Sequence, residues 1–413
     1  MIDAMELLLA CLKQEPAEEK VDRLKCFGRE EWAAVRGAAL RHGVEPLLFY
    51  TLKPLCPVLN IPEPVWSSLQ RAYYSTAARN MRLYRELAGV VATFNRQGIA
   101  AILLKGAHLA EHVYENIALR GMGDADLLVK KEDLLRADRE LLRLGAEPGE
   151  RVRVYSRHSH HFGYRLRPSG LMVEIHWALI TSLYPCRVDE GGLWRRARPV
   201  KLGPEQAWVL SPEDLLLHLC LHAAKHINEI TLRDLFDLGA VLRRYEAALD
   251  WRELAARARQ WGILRAVYVL LSLTRDLLGS PVAADTLEAL RPAGFDNRYL
   301  DLVRRQLMAA SLDRGGVKTT LPAARLWMYK GPGGKLKHIR DRLLLSREEI
   351  ALMYTRPADR WRVYLFYYPL RLAGLLQRHG AVLWRLLRGD AQSRAAAART
   401  HEITSLGDWL LSG

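Results

Sequence analysis

Three acidic residues have the spacing that a metal site needs. Asp124 and Asp126 stand one residue apart in the segment GDADLLV at 123–129, and Glu174 lies in LMVEIHW at 171–177. Side chains at i and i+2 of a strand point to the same face, so the two aspartates should project side by side. Adjacent carboxylates repel each other unless a cation lies between them, and hard divalent cations take oxygen ligands. If the two segments are neighbouring strands, the sequence predicts a three-carboxylate Mg²⁺ (or Mn²⁺) site.

A basic glycine turn precedes the acids. The apolar run 99–104 ends at Lys105 and Gly106, where backbone N–H groups could approach phosphate oxygens closely and the lysine could add a point charge. Ala107 provides no hydroxyl to help bind phosphate. Arg120, four residues before the first aspartate, is therefore a second candidate phosphate ligand, and a solvated loop cation is an equally good interpretation.

One face of a later predicted helix is rich in nitrogen ligands and cations, with three histidines and a lysine at i, i+4, i+7 and i+8: His218, His222, Lys225 and His226. Arg233 and Asp237 share a face of the next helix. We expect Lys225 and Arg233 to face the carboxylates and neutralise a bound triphosphate. The alternative is a polar layer between helices, in which Asp234 and Asp237 pair with nearby cations.

A second group of histidines invites a zinc interpretation: His158, His160, His161 and His176. His158 and His160 would share a strand face, but the spacing lacks the cues of a tetrahedral site. A structural role, or a contact with a base or phosphate, is favoured over a metal.

These residues need a small sheet to position them. Apolar residues at three- and four-residue spacing predict helices at 34–50 and 65–95. Residues 97–180 predict strand, helix, strand, helix and then antiparallel strands, with the first helix at 107–118. Further helices are predicted at 212–226, 230–245, 251–258 and 262–278. The fold class is therefore α+β and predominantly helical, with regions at 1–96, 97–205, 206–310 and 311–413.

Charge and cysteine content restrict the partners and the compartment. The 413-residue chain carries a formal charge of +15, and residues 311–390 hold sixteen Lys and Arg against six Asp and Glu. Such a segment attracts polyanions, although solvated helix faces explain it equally well. Five scattered cysteines without a CxxC pair argue against a disulfide framework. With no signal peptide and no transmembrane segment evident, we expect a cytoplasmic protein.

The C-terminal region gives weaker signals. Residues 361–387 are amphipathic and mix aromatic residues with arginine. Helix packing is the favoured interpretation, ahead of an RNA-stacking surface or an interfacial helix. Residues 389–401 resemble a small-residue tail with little order.

The acidic and basic motifs together resemble the superfamily of polymerase-beta-like and aminoglycoside-modifying nucleotidyltransferases. Within it, the chain over about residues 40–260 resembles a bacterial family of uncharacterised nucleotidyltransferases, on these elements: LLKGA at 103–107, Tyr114, Arg120, DADLLV at 124–129, EIHW at 174–177 and SPEDLLLH at 211–218. Lys225 and the RDLFD element at 233–237 also resemble an element of abortive-infection toxin nucleotidyltransferases, where the lysine contacts nucleotide.

The resemblance implies a nucleotidyltransferase-type mixed sheet flanked by N- and C-terminal helical regions. It implies Mg²⁺- or Mn²⁺-dependent transfer from an NTP, with Asp124, Asp126 and Glu174 as catalytic residues and metal ligands. Nucleotide-binding residues would be Lys105, Gly106, Arg120, Lys225 and Arg233. The acceptor stays open between a tRNA or other RNA end, a protein or peptide, and a small molecule. The alternatives are an inactivated nucleotide- or partner-binding module, suggested by Ala107, and a nucleic-acid-binding protein.

Overall fold

The protein is an α+β fold, predominantly helical, with a mixed sheet of seven strands. The computed structural model describes residues 3–148, 160–167, 169–181, 184–309 and 390–413, with isolated positions between 369 and 388. The strands are β1 (Ala101–Leu104), β2 (Asp124–Val129), β3 (Glu147–Pro148), β4 (His161–Arg165), β5 (Met172–His176), β6 (Arg198–Leu202) and β7 (Glu205–Val209).

Helices precede, interrupt and follow the sheet. Those before and within it are α1 (Ala4–Leu12), α2 (Ala17–Leu24), α3 (Arg29–His42), α4 (Glu45–Leu52), α5 (Glu63–Arg96), α6 (Lys105–His112), α7 (Leu134–Arg143) and α8 (Glu190–Arg196). Those after it are α9 (Pro212–Lys225), α10 (Leu232–Tyr245), α11 (Trp251–Trp261), α12 (Leu264–Leu278), α13 (Ala284–Leu290), α14 (Arg298–Ala309) and α15 (Ala391–Leu410).

The N-terminal helices differ from the prediction at one place. The single helix expected at 34–50 is two helices, α3 and α4, because Gly43 adopts a left-handed backbone with φ 66° and ends α3. Pro46 then lies in the first turn of α4, where a missing N–H costs nothing. The long helix expected at 65–95 is confirmed as α5.

The sheet has the strand order β3-β4-β5-β2-β1-β7-β6. Strand β2 pairs antiparallel with β1 and parallel with β5, so β2 and β5 are neighbours at the centre of the sheet. The hairpin β6–β7, which the sequence analysis did not predict, adds to the other side of β1 through a parallel pairing. The helix expected at 107–118 is the shorter α6, which ends at His112.

Alternation along the central strands divides the sheet into two faces. Leu127 and Val173 point to one face and pack with α5 and α7 in a buried cluster. Leu104 and Leu128 point to the other face and join the large core of the N- and C-terminal helices. Because Asp126 has the parity of Leu128, the acidic side chains lie on the face toward the helical core.

The helices after the sheet agree with the prediction. Helix α9 begins at Pro212 and is capped by Ser211, whose side chain accepts a hydrogen bond from the Asp214 amide. The expected small-residue tail is wrong, because residues 391–410 form helix α15, in keeping with the high helix propensity of alanine and arginine. Trp409 of α15 stacks on Tyr299 with ring centroids 3.5 Å apart.

The predictions for most of the C-terminal region lie outside the described residues. This applies to the basic segment 311–390 and to the amphipathic stretch 361–387, apart from the isolated positions noted above. The four-region division of the chain stays a prediction. Within the described part of the chain, none of the helices combines enough length and apolarity to cross a membrane.

Candidate active site

Strand register brings two of the three predicted acids side by side. In the parallel pair of β2 and β5, Asp126 is opposite Glu174, and Leu128 is opposite His176. Directly opposed residues of neighbouring strands project to the same face of a sheet. The oxygen and nitrogen atoms that Asp126, Glu174 and His176 offer as ligands lie within 4.8 Å of one another. This group could hold a metal ion.

Asp126 is the buried anion at the centre of the group, with 3% of its side chain exposed. Its Oδ1 lies 2.8 Å from Nε2 of His176, and its Oδ2 lies 3.1 Å from Nζ of Lys105. Burial alone would raise the pKa of Asp126, but the Lys105 charge and the His176 hydrogen bond hold that pKa well below its usual range. The group therefore presents an ionised oxygen ligand, as a hard cation requires.

His176 connects the two carboxylates. The same Nε2 that contacts Asp126 lies 3.3 Å from Oε2 of Glu174. Burial opposes protonation of this imidazole, but the hydrogen bonds to Asp126 and Glu174 outweigh burial and raise the pKa of His176. The sequence analysis placed His176 among the histidines with a structural, base-contacting or phosphate-contacting role and did not join it to the acids. Its position two residues after Glu174, on the same strand face, was the available signal.

Asp124 lies one pleat away, at the exposed start of β2 opposite Met172. Among the described residues it is outside the group whose ligand atoms approach within 4.8 Å. Two strand residues nevertheless span only about 7 Å, and the loss of water around Asp124, followed by the Asp126 charge, raises the pKa of Asp124. The three predicted acids thus share one face, and Asp126 and Glu174 are the closely opposed pair.

The glycine turn between β1 and α6 places Lys105 over the acids. Lys105 adopts φ 40°, in the left-handed region that a residue with a Cβ rarely occupies. Such outliers cluster at functional sites, where surrounding structure maintains them. The ammonium of Lys105 contacts Asp126 as a result, and Tyr84 donates a hydrogen bond to the carbonyl of buried Ala107 at 3.1 Å.

Gly106 is glycine because Arg120 packs against it. A Cβ built at position 106 would lie 2.5 Å from Nη1 of Arg120 and 3.0 Å from Cγ of Met122. The guanidinium is held in place by Asp237, which accepts from Nη2 at 3.0 Å and from Nε at 3.3 Å. Tyr114 donates to the same carboxylate at 2.9 Å. Arg120 was predicted to bind phosphate. In the structure it forms a brace, packing against Gly106 on one side and binding Asp237 of α10 on the other.

Lys225 reaches the acidic face from the last turn of α9. Its Nζ lies 3.1 Å from Nε2 of His160, and burial followed by the Lys105 charge lowers the pKa of Lys225 to about 8. The negative charges of Glu174 and Asp126 act in the opposite direction. The expected role of Lys225 in binding a triphosphate stays a prediction.

The other residues of the two helices have different surroundings. The guanidinium of Arg233 lies beside Gly43, at the end of α3, and no described contact joins it to the acids. Asp234 accepts hydrogen bonds from the amide and hydroxyl of Thr231 at the start of α10. His218 is buried, and burial lowers its pKa to about 3, so it is neutral at physiological pH. Lys225 and Arg233, which were predicted to act together, therefore lie in different surroundings.

Comparison with known proteins identifies the family. A model of the family described as "Uncharacterised nucleotidyltransferase" matches residues 28–279, which include β1 to β7 and α9 to α12. No curated protein matches the chain. The matched region contains the opposed Asp126 and Glu174, the strained Lys105 and the glycine turn. This chain belongs to the family of uncharacterised nucleotidyltransferases.

Proposed function

We propose that this protein transfers a nucleoside monophosphate from an NTP to an acceptor in a reaction that depends on Mg²⁺ or Mn²⁺. The observation that carries the proposal is the opposition of Asp126 and Glu174 on adjacent strands, with Asp124 one pleat away on the same face. The carboxylate donors suit a hard divalent cation. Asp124, Asp126 and Glu174 would hold the ion, which would neutralise charge on the triphosphate during in-line attack.

The chain's own cations would complete the nucleotide site. Lys105 contacts Asp126 from the glycine turn, and Lys225 of α9 contacts His160 beside the acids. Both can contact phosphate oxygens as point charges. Gly106 would allow backbone N–H groups close to the phosphates. Arg120 supports this turn from behind through its bond to Asp237.

Of the two opposed acids, Glu174 is the better placed to receive the acceptor's proton. It is opposite Asp126, and its side chain is 27% exposed whereas that of Asp126 is 3% exposed. A proton acceptor must be reachable by the incoming hydroxyl, and the more accessible carboxylate meets that condition. The acceptor remains a tRNA or other RNA end, a protein or peptide, or a small molecule. Five free cysteines agree with the expected cytoplasmic location.

Label transfer tests the proposal. The protein is incubated with each α-labelled NTP, with Mg²⁺ or Mn²⁺, and with total RNA or cell lysate as the acceptor pool. We expect label in one class of acceptor and a preference for one nucleotide. Asp126→Asn should abolish transfer, because it removes a ligand charge while keeping the shape of the side chain. Asp276→Asn, at a surface ion pair on α12, is the matched control and should transfer normally.

The outcome distinguishes the alternatives. Nucleotide binding without transfer to any acceptor would favour an inactivated binding module. Label in RNA should decline as salt rises, because phosphate contacts release counterions. Transfer that persists in Asp126→Asn would refute the assignment of the catalytic site.

A further inference from the structure

Three imidazoles form a cluster beside the carboxylates. The ring centroids of His160 and His161 lie 4.7 Å apart, those of His161 and His176 4.9 Å, and those of His160 and His176 5.5 Å. One ring nitrogen from each of the three residues lies within 4.8 Å of the other two. Strand pairing fixes this arrangement, because His161 of β4 is directly opposite His176 of β5.

Two of these rings are buried with one nitrogen unbonded. His160 is 5% exposed and His176 is 3% exposed, and within the described part of the chain neither Nδ1 has a hydrogen-bond partner. Buried polar atoms are bonded in the large majority of cases, so each exception needs an explanation. A nitrogen lone pair that receives no hydrogen bond is what an imidazole offers to a metal ion.

The Nε2 atoms of His176 and His161 face carboxylates. Nε2 of His176 lies 2.8 Å from Asp126, and Nε2 of His161 lies 3.7 Å from Oε2 of Glu174. Metal-binding histidines commonly donate their second ring N–H to a carboxylate, which fixes the tautomer and orients the ligand nitrogen. For His176, a proton on Nε2 leaves the lone pair on Nδ1. The acids that would hold the nucleotide's cation therefore also orient this imidazole.

We propose that His160, His161 and His176 bind a borderline-soft divalent cation of the Zn²⁺ class, beside the carboxylates but distinct from the Mg²⁺ they would hold. Imidazole nitrogen suits zinc, cobalt and nickel, whereas carboxylate oxygen suits magnesium. Three protein ligands leave one coordination position open, as in catalytic zinc sites. The histidine spacing alone disfavoured this site, because sequence separation does not reveal the pairing of β4 with β5. The inference goes beyond the proposed function, since it requires no nucleotidyl transfer.

Cobalt binding tests the site directly. The full chain is treated with a chelator, dialysed, and titrated with Co²⁺ in the presence of excess Mg²⁺, while visible d–d absorption is recorded. We expect one Co²⁺ per chain, retained against Mg²⁺, with the absorption of a nitrogen-rich site of low coordination number. His160→Gln and His161→Gln should each weaken Co²⁺ binding at least about tenfold, since even an altered partner of a metal ligand has an effect of that size.

The controls separate this site from the carboxylate site. His112→Gln, which changes a partly buried histidine on α6, should bind Co²⁺ normally. Asp124→Asn should keep Co²⁺ binding and lose label transfer. Displacement of Co²⁺ by Mg²⁺, or unchanged affinity in His161→Gln, would overturn the proposal. If His160→Gln does not fold by circular dichroism, the half-buried His161 decides the matter. Co²⁺ binding in a protein that transfers no label would support this site while refuting the proposed function.

Discussion

A single methyl group at position 106 should destabilise the brace behind the glycine turn. In Gly106→Ala the new Cβ would lie 2.5 Å from Nη1 of Arg120, whereas ordinary contact begins at 3.4 Å, so the guanidinium must move about 0.9 Å. Arg120 is 12% exposed and cannot move into solvent without leaving Asp237. Its Nη1 also donates to the Gly121 carbonyl at 3.0 Å.

The expected loss of stability follows from the hydrogen bonds of Arg120 that this movement strains. Loss of one hydrogen bond to a charged group costs about 1.5–3 kcal/mol. Alanine in the first turn of α6 returns up to about 1 kcal/mol, because glycine disfavours helix. We therefore expect Gly106→Ala to lower the free energy of unfolding by about 0.5–2 kcal/mol. Gly123→Ala is the matched control, because a Cβ at Gly123 meets no atom within 4 Å.

A double-mutant cycle measured by urea denaturation identifies the cause. In the Arg120→Lys background the clashing Nη1 is absent and a cation still faces Asp237, so the added methyl should cost less. We expect a coupling energy between the two substitutions of at least about 1 kcal/mol, where independent sites add to within about 0.5 kcal/mol. Additive effects, or an equal loss in Gly123→Ala, would refute the assignment of Gly106 to close packing against Arg120.

Two other predictions test the surrounding helices. Lys225→Met should weaken NTP binding about 10- to 100-fold, which is the effect of losing one hydrogen bond to a charged group. Arg233→Met should leave NTP affinity unchanged, because the Arg233 guanidinium lies beside Gly43. Equal effects of the two substitutions in a nucleotide-binding titration would contradict this difference. Burial lowers the pKa of His42 to about 4, and the neutral imidazole accepts a hydrogen bond from the Leu232 amide at Nδ1. The contribution of His42 to stability is therefore complete above pH 6.5 and is lost as the pH falls from 6.5 to 4. His42→Gln keeps a hydrogen-bond acceptor but does not titrate. Between pH 6.5 and 4 its free energy of unfolding, measured with urea, should therefore fall by up to about 3 kcal/mol less than that of the wild type. Parallel pH profiles would exclude His42 as a contributor.

Local sequence signals predicted much of the fold and the central acids. The i, i+2 spacing of Asp124 and Asp126 and the apolar alternation around Glu174 are properties of single strands, and β2 and β5 formed as expected. The hairpin of β6 and β7 was missed. The parallel pairing of β7 with β1 joins residues about a hundred positions apart, so no local sequence pattern predicts it.

Long-range packing also decided the roles of the cations. Lys225 and Arg233 have the same formal charge and lie eight positions apart, but Lys225 ends at His160 beside the acids, whereas Arg233 ends at Gly43 after α3. Arg120 could be predicted as a phosphate ligand because its charge is visible in the sequence, whereas its partner Asp237 is 117 positions away. The requirement for glycine at 106 follows from that pairing and could not be known without it.

The strained turn gives Lys105 two anionic partners under the proposed function. Its left-handed backbone brings the ammonium to Asp126, a buried carboxylate whose charge Lys105 compensates together with His176. A divalent cation on Asp126 would supply that compensation, and the ammonium would then be available to a triphosphate on the same face. A lysine at position 105 can thus pair with Asp126 when no cation is bound and with a phosphate oxygen when one is bound.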